Sequence, residues 1–158
     1  MNILNDSWQH VTGGQPRKTE FIDLVCRYSD TQRRYHSLEH VRDMLHGLHQ
    51  TDQWTDTALQ RAVWWHDAIY DSTRSDNEKR SAELAARTLS AWKVSPAEIA
   101  RVAALIPVRL FDSFPMPRCA CYRIRQSGQP IAGSGFAFNS SKQEYYFGLH
   151  PGVARCVG

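Results

Sequence analysis

His36 and His40 stand four residues apart in RRYHSLEHV (33–41), and His66 and Asp67 are adjacent within AVWWHDAIYD (62–71). A separation of four stacks two side chains on one helical face, so both imidazoles can address one site. An ionisable pair inside an apolar run is costly unless something compensates it, and a bound cation is the strongest compensator. Imidazole nitrogens joined by a carboxylate oxygen suit Mn, Fe, Zn or Mg, with positions left open for water. Further candidates surround these four. Asp71 falls one turn after Asp67. Asn77 and Glu78 are placed either to orient a ligand or simply to serve a first helical turn, with Glu78 complementing the dipole. Arg33 and Arg34 stand where a phosphate could be received or where solvent is faced. His46 and His49 read as solvated, and Tyr35 and Tyr70 as core aromatics.

Helices must position these residues. KTEFIDLVCRYS puts Phe21, Leu24, Val25 and Tyr28 on one face, and HSLEHVRDMLHGLH does the same with Leu38, Val41, Leu45 and Leu48, with Ser37 as cap. A third helix starts near Thr55 or Asp56 and runs through ALQRAVWWHDAIY, with Leu59, Ala62, Val63 and Ile69 inward. The His66–Asp67 pair then lies at the centre of the most buried helix. Asp76 caps a fourth helix, NEKRSAELAARTLSAW. SPAE opens a fifth, with Ser95 as cap, Pro96 at the first helical position and Glu98 closing a capping box. The expectation is a mostly α bundle of about five helices over residues 18–106.

After Ile106 the pattern changes. Six of nine glycines, five of seven prolines and three of four cysteines fall in the last third, and helical periodicity ends, so an irregular, non-helical tail is expected over 107–158. That tail holds 6 Lys/Arg against 2 Asp/Glu, leaving 13 against 14 before it, so the net charge of +3 belongs to the tail. A basic balance confined there, without an organised platform for bases, gives no expectation of nucleic acid as a partner. The opening residues show no signal-peptide layout and no apolar run approaches the ~20 residues that span a bilayer, which predicts a cytoplasmic protein and no membrane partner. The four cysteines form no C-x-x-C pair and are expected as reduced thiols.

Taken in order, YHSLEH, WWHDAIYD and DNEKRSAE fall on three successive predicted helices. Together they resemble the HD superfamily of metal-dependent phosphohydrolases, in a small bacterial branch with the order Y-H-x-x-x-H, H-D-x-x-Y-D, N-E-x-x-S-A, over about residues 18–106. The resemblance implies a helical bundle and hydrolysis of a small phosphate ester or nucleotide. It also implies a divalent metal ion (Mn, Fe, Zn or Mg) on His40, His66 and Asp67, with His36 as the catalytic acid, its position's role in the related cyclic nucleotide phosphodiesterases. Such an ion pulls the pKa of water toward neutrality, and an imidazolium gives the leaving oxygen its proton. The reverse assignment, His36 as ligand and His40 as neighbour, stays open. The family completes its site with an aspartate from a later helix. Here the helical pattern stops at ALIPVRLFDSF, and Asp112, the one aspartate after Asp76, stands in a Pro-rich stretch. The expectation is an incomplete site with weak metal binding and slow or absent turnover; the alternative is a non-catalytic remnant.

DSFPMPRC and SKQEYYFGLH, over about 110–150, resemble a fragment of insertion-sequence transposases, in which the aspartate of D-S-x-P begins an acidic triad. The later acids of that triad are not recognisable. The implied organisation is a truncated HD-type helical domain over 1–106 joined to an irregular, transposase-like tail over 107–158. Loss of covering helices would favour a homo-oligomer.

Overall fold

A computed structural model describes residues 2–30, 33 and 37–107. The fold is mostly α. The described residues form α1 (Ile3–Val11), α2 (Lys18–Tyr28), α3 (Leu38–His49), α4 (Thr57–Trp65), α5 (Asn77–Ala91) and α6 (Pro96–Leu105), with a short 3-10 turn, Asp52–Thr55, before α4. No strand occurs among them, and no helix among them is long and apolar enough to cross a membrane. The expectations for the tail, Asp112 included, lie outside the described residues.

α4 is the hub. Ala58 to Trp65 are all buried, and the helix packs against α1, α3, α5 and α6. Its neighbours supply the faces their spacing predicts: Phe21, Leu24 and Tyr28 from α2, and Val41, Leu45 and Leu48 from α3, are buried, with Val25 and Leu38 half-buried. An aromatic cluster joins the first, second, fourth and fifth helical segments. Trp8 meets Phe21, Trp64 and Trp92 edge-on at 5.3, 5.1 and 5.9 Å between ring centroids, the geometry that places a positive ring edge against a negative face.

Helices are expected only from residue 18 onward, and α1 is a further helix before them. Asn2 caps it through a bond from the Asn5 N–H, and Leu4, Trp8 and Val11 recur at helical spacing on its buried side. It stops in a Schellman turn: the Gly13 N–H donates to the His10 carbonyl and the Gly14 N–H to the Gln9 carbonyl, with Gly13 at φ 60°, where an L side chain is strained. α5 ends with the same bonding, but there Lys93 holds φ 60°.

Buried polar groups tie the helices to α4. The Ser7 hydroxyl donates to Gln60 Oε1 at 2.6 Å and accepts from Trp64 Nε1 at 3.0 Å. Arg61 donates to the Val11 carbonyl from Nε and Nη2, at 3.0 and 2.8 Å, and pairs with Glu98 on α6. Glu98 therefore spends its carboxylate on α4, while Ser95 does cap α6 through the Glu98 N–H. Asp76 occupies the N-cap position of α5, but its carboxylate is taken by Arg74 and makes no capping bond. Cys26 on α2 is disulfide-bonded, correcting the expectation of a reduced thiol at that position.

Candidate metal centre

α4 ends at Trp65. His66 is its C-cap, at φ −54° and ψ −38°, and Asp67 stands in the turn that follows. The pair thus lies at a helix end, which corrects its expected place at the helix centre. The apolar run does continue through Ile69, but beyond His66 the backbone turns to partners outside the helix, although the Ala68 N–H still returns to the Trp65 carbonyl at 3.1 Å. The Asp67 N–H donates to the Tyr28 hydroxyl at 3.3 Å, and that hydroxyl donates to the Trp64 carbonyl at 3.1 Å. Arg33 donates to the Asp67 carbonyl from Nη1 at 2.6 Å and to the Ala68 carbonyl from Nη2 at 3.3 Å. A helix C-terminus carries partial negative charge, so a cation at this end is favoured.

Three of the predicted residues meet here. His40, in the first turn of α3, His66 and Asp67 each offer one ligand atom, and these atoms lie within 4.8 Å of one another. The His40 and His66 rings meet edge-on at 5.2 Å, and His66 Nε2 lies 2.9 Å from Asp67 Oδ2. His66 is buried, while His40 and Asp67 are half-buried. His36, the predicted acid, lies outside the described residues, as do Arg34 and Tyr35.

The donor set fits a divalent ion. His66 Nδ1 lies 2.8 Å from the Val63 carbonyl. That contact is a hydrogen bond only if Nδ1 carries the proton, which leaves Nε2 as the atom facing Asp67. Fixing one ring nitrogen on a backbone carbonyl is how metal-binding histidines are commonly oriented. Two donors about 2.1 Å from one ion are about 3.0 Å apart when adjacent and about 4.2 Å apart when opposite. His66 Nε2 and Asp67 Oδ2, at 2.9 Å, already match an adjacent pair, while donors as far apart as 4.8 Å must close by about half an ångström as an opposite pair and by about 1.8 Å as an adjacent one. Burial pushes the His66 pKa down, but the Asp67 carboxylate and the hydrogen bonds to Asp67 and Val63 outweigh it, and the net shift is upward. In the ion-free pair that shift holds a proton between His66 and Asp67, and a metal at Nε2 would displace it. Tyr28 stays neutral: burial, with the Asp67 charge adding, drives its hydroxyl far above the ordinary range.

The remaining candidates have other work. Asp71 uses Oδ1 to accept from the Thr73 N–H and hydroxyl, at 2.9 and 2.6 Å, in a local turn. Glu78 is exposed in the first turn of α5. Arg33 turns inward between the Tyr28 and Tyr70 rings, its guanidinium carbon 5.4 and 5.5 Å from their centroids. His46 and His49 are exposed, as expected. Two participants were not singled out from the sequence: Tyr28, read only as a core residue, and Ser81, whose hydroxyl accepts from the Ile69 N–H at 3.0 Å and donates to the Ile69 carbonyl at 3.2 Å. The four-residue spacing of Asn77 and Ser81, which puts them on one helical face, was the available signal. Comparison with protein-family models, curated proteins and solved structures returned no match.

Proposed function

We propose that the chain is a divalent-metal-dependent phosphohydrolase of HD type, acting on a small phosphate ester or nucleotide. The observation that carries this reading is the convergence of His40 with His66 and Asp67, 26 and 27 positions later in the chain, into one half-buried group at a helix end. In this reading His40 and His66 contribute imidazole nitrogens, Asp67 contributes the one negative charge, and His36 protonates the leaving oxygen. A bound divalent ion supplies Lewis acidity and an acidified water at neutral pH. The Val63 carbonyl fixes the His66 ring, and Arg33 and Tyr28 fix the backbone that carries Asp67.

One observation favours a second reading. Among the described residues the group has three members, so a non-catalytic remnant of the same domain that binds metal weakly or not at all is the rival. Hydrolysis of a generic aryl phosphate and of a nucleotide panel by the full chain, with manganese added, separates the two. The enzyme reading expects turnover that needs manganese, disappears in His66→Ala and falls at least a hundredfold in His36→Ala. No turnover on any phosphate ester, with manganese bound weakly or not at all, favours the remnant.

A further inference from the structure

The turn that follows His66 is held by side chains from elsewhere in the chain. Besides the Tyr28 and Arg33 bonds at Asp67 and Ala68, α5 grips the next residues twice. Ser81, fully buried, bonds both the N–H and the carbonyl of Ile69. Asn77, 9% exposed, accepts from the Asp71 N–H at 3.0 Å and donates to the Asp71 carbonyl at 2.8 Å and to the Arg74 carbonyl at 3.3 Å. Residues 67–71 have no regular secondary structure, so these bonds replace the helical ladder that the apolar sequence would otherwise continue. None of the α5 bonds reaches an imidazole or a carboxylate.

We infer that Asn77 and Ser81 are positioning residues of the metal centre, acting through the backbone: they terminate α4 at His66 and fix the direction in which Asp67 leaves the chain. The inference rests on the proposed metal site for its consequence, not for its geometry. His66 keeps helical dihedrals, and the chain leaves the helix from Asp67 onward, so the direction in which the Asp67 carboxylate points depends on how the residues after it are held. In a continued helix, adjacent residues point about 100° apart around the axis. The clip on Ile69 and Asp71 holds that departure, and α5 thereby sets how closely Nε2 and Oδ2 approach.

The test compares Ser81→Ala and Asn77→Ala with Val102→Ala, a core truncation on α6 that lowers stability without touching the turn, all in the full chain. Two readouts are taken: amide hydrogen exchange at Asp67 and Ile69, and manganese affinity by equilibrium dialysis. Ser81→Ala and Asn77→Ala are expected to speed exchange at Asp67 at least tenfold and to weaken manganese binding about 10- to 100-fold, with Val102→Ala doing neither. Exchange at Asp67 that stays at the parent rate in both α5 variants, or rises equally in Val102→Ala, overturns the inference. If the parent chain takes up no manganese, the proposed function fails, and exchange at Asp67 alone then decides the role of the clip.

Discussion

At the scale of single residues, Arg33 shows how far a side chain's role can lie from its sequence neighbourhood. Beside two histidines it reads as a phosphate receiver or a solvated cation. Its guanidinium instead bridges two consecutive carbonyls of the turn after His66 and lies between two tyrosine rings. Planarity and several fixed donors make this possible, and lysine has neither. Arg33→Lys, which keeps the charge, should therefore cost about 2 kcal/mol of stability, the scale of lost hydrogen bonds to a charged group. Urea unfolding of the full chain measures it, and a loss below about 0.5 kcal/mol would return Arg33 to the solvated class. His40, His66 and Asp67 were legible as residue types at suggestive spacings. Tyr28 was not, because a hydroxyl that bonds only to backbone leaves no mark beyond one polar atom on an apolar face, and Ser81 was legible only through its four-residue spacing from Asn77.

At the scale of elements, α2, α3 and α4 follow from apolar spacing, since a face that must be buried recurs at a period the chain cannot disguise, whereas α5 and α6 follow from their opening residues, Asp76 and the SPAE run. α1 escaped because it is nine residues long and mixes Asn5, Asp6 and Gln9 with its apolar positions; Asn2 before it and the Gly13–Gly14 stop were the usable signals. The end of α4 escaped for another reason. Hydrophobicity reports burial, and residues 66–69 stay buried or half-buried after the helix has stopped, because α5 and Arg33 take over their backbone bonds. The start of α4 was readable. Asp56 caps it through the Leu59 N–H at 3.1 Å and also pairs with Arg101 on α6. Burial would raise the Asp56 pKa, but the Arg101 hydrogen bond and the Leu59 N–H outweigh it, so the folded value is depressed. A depressed carboxylate stabilises the fold above its unfolded pKa of about 3.9, and loses that contribution as pH falls through the folded value. Asp56→Asn keeps a capping oxygen and removes the charge. It should cost up to about 1 kcal/mol at pH 7, the range for a solvent-exposed ion pair, and nothing once pH lies below the folded pKa. Thermal unfolding across pH 2–7 follows the two curves, and a constant gap would assign the effect to capping alone.

At the scale of the molecule, the helices serve to bring α3 and the end of α4 together, and the centre they form is open to one central claim: His40, His66 and Asp67 hold a single divalent ion. Three ligands with one carboxylate, the set found among the described residues, give a weaker hold than four, so an affinity in the micromolar range or poorer is expected for manganese, about −8 kcal/mol or less favourable. Equilibrium dialysis of the full chain against manganese, followed by metal analysis, measures this directly, with His40→Ala, His66→Ala and Asp67→Asn alongside. One ion per chain, weakened at least a hundredfold by each of the three substitutions, is the predicted result. Manganese bound equally well by the parent chain and all three variants, or by none of them, would contradict it.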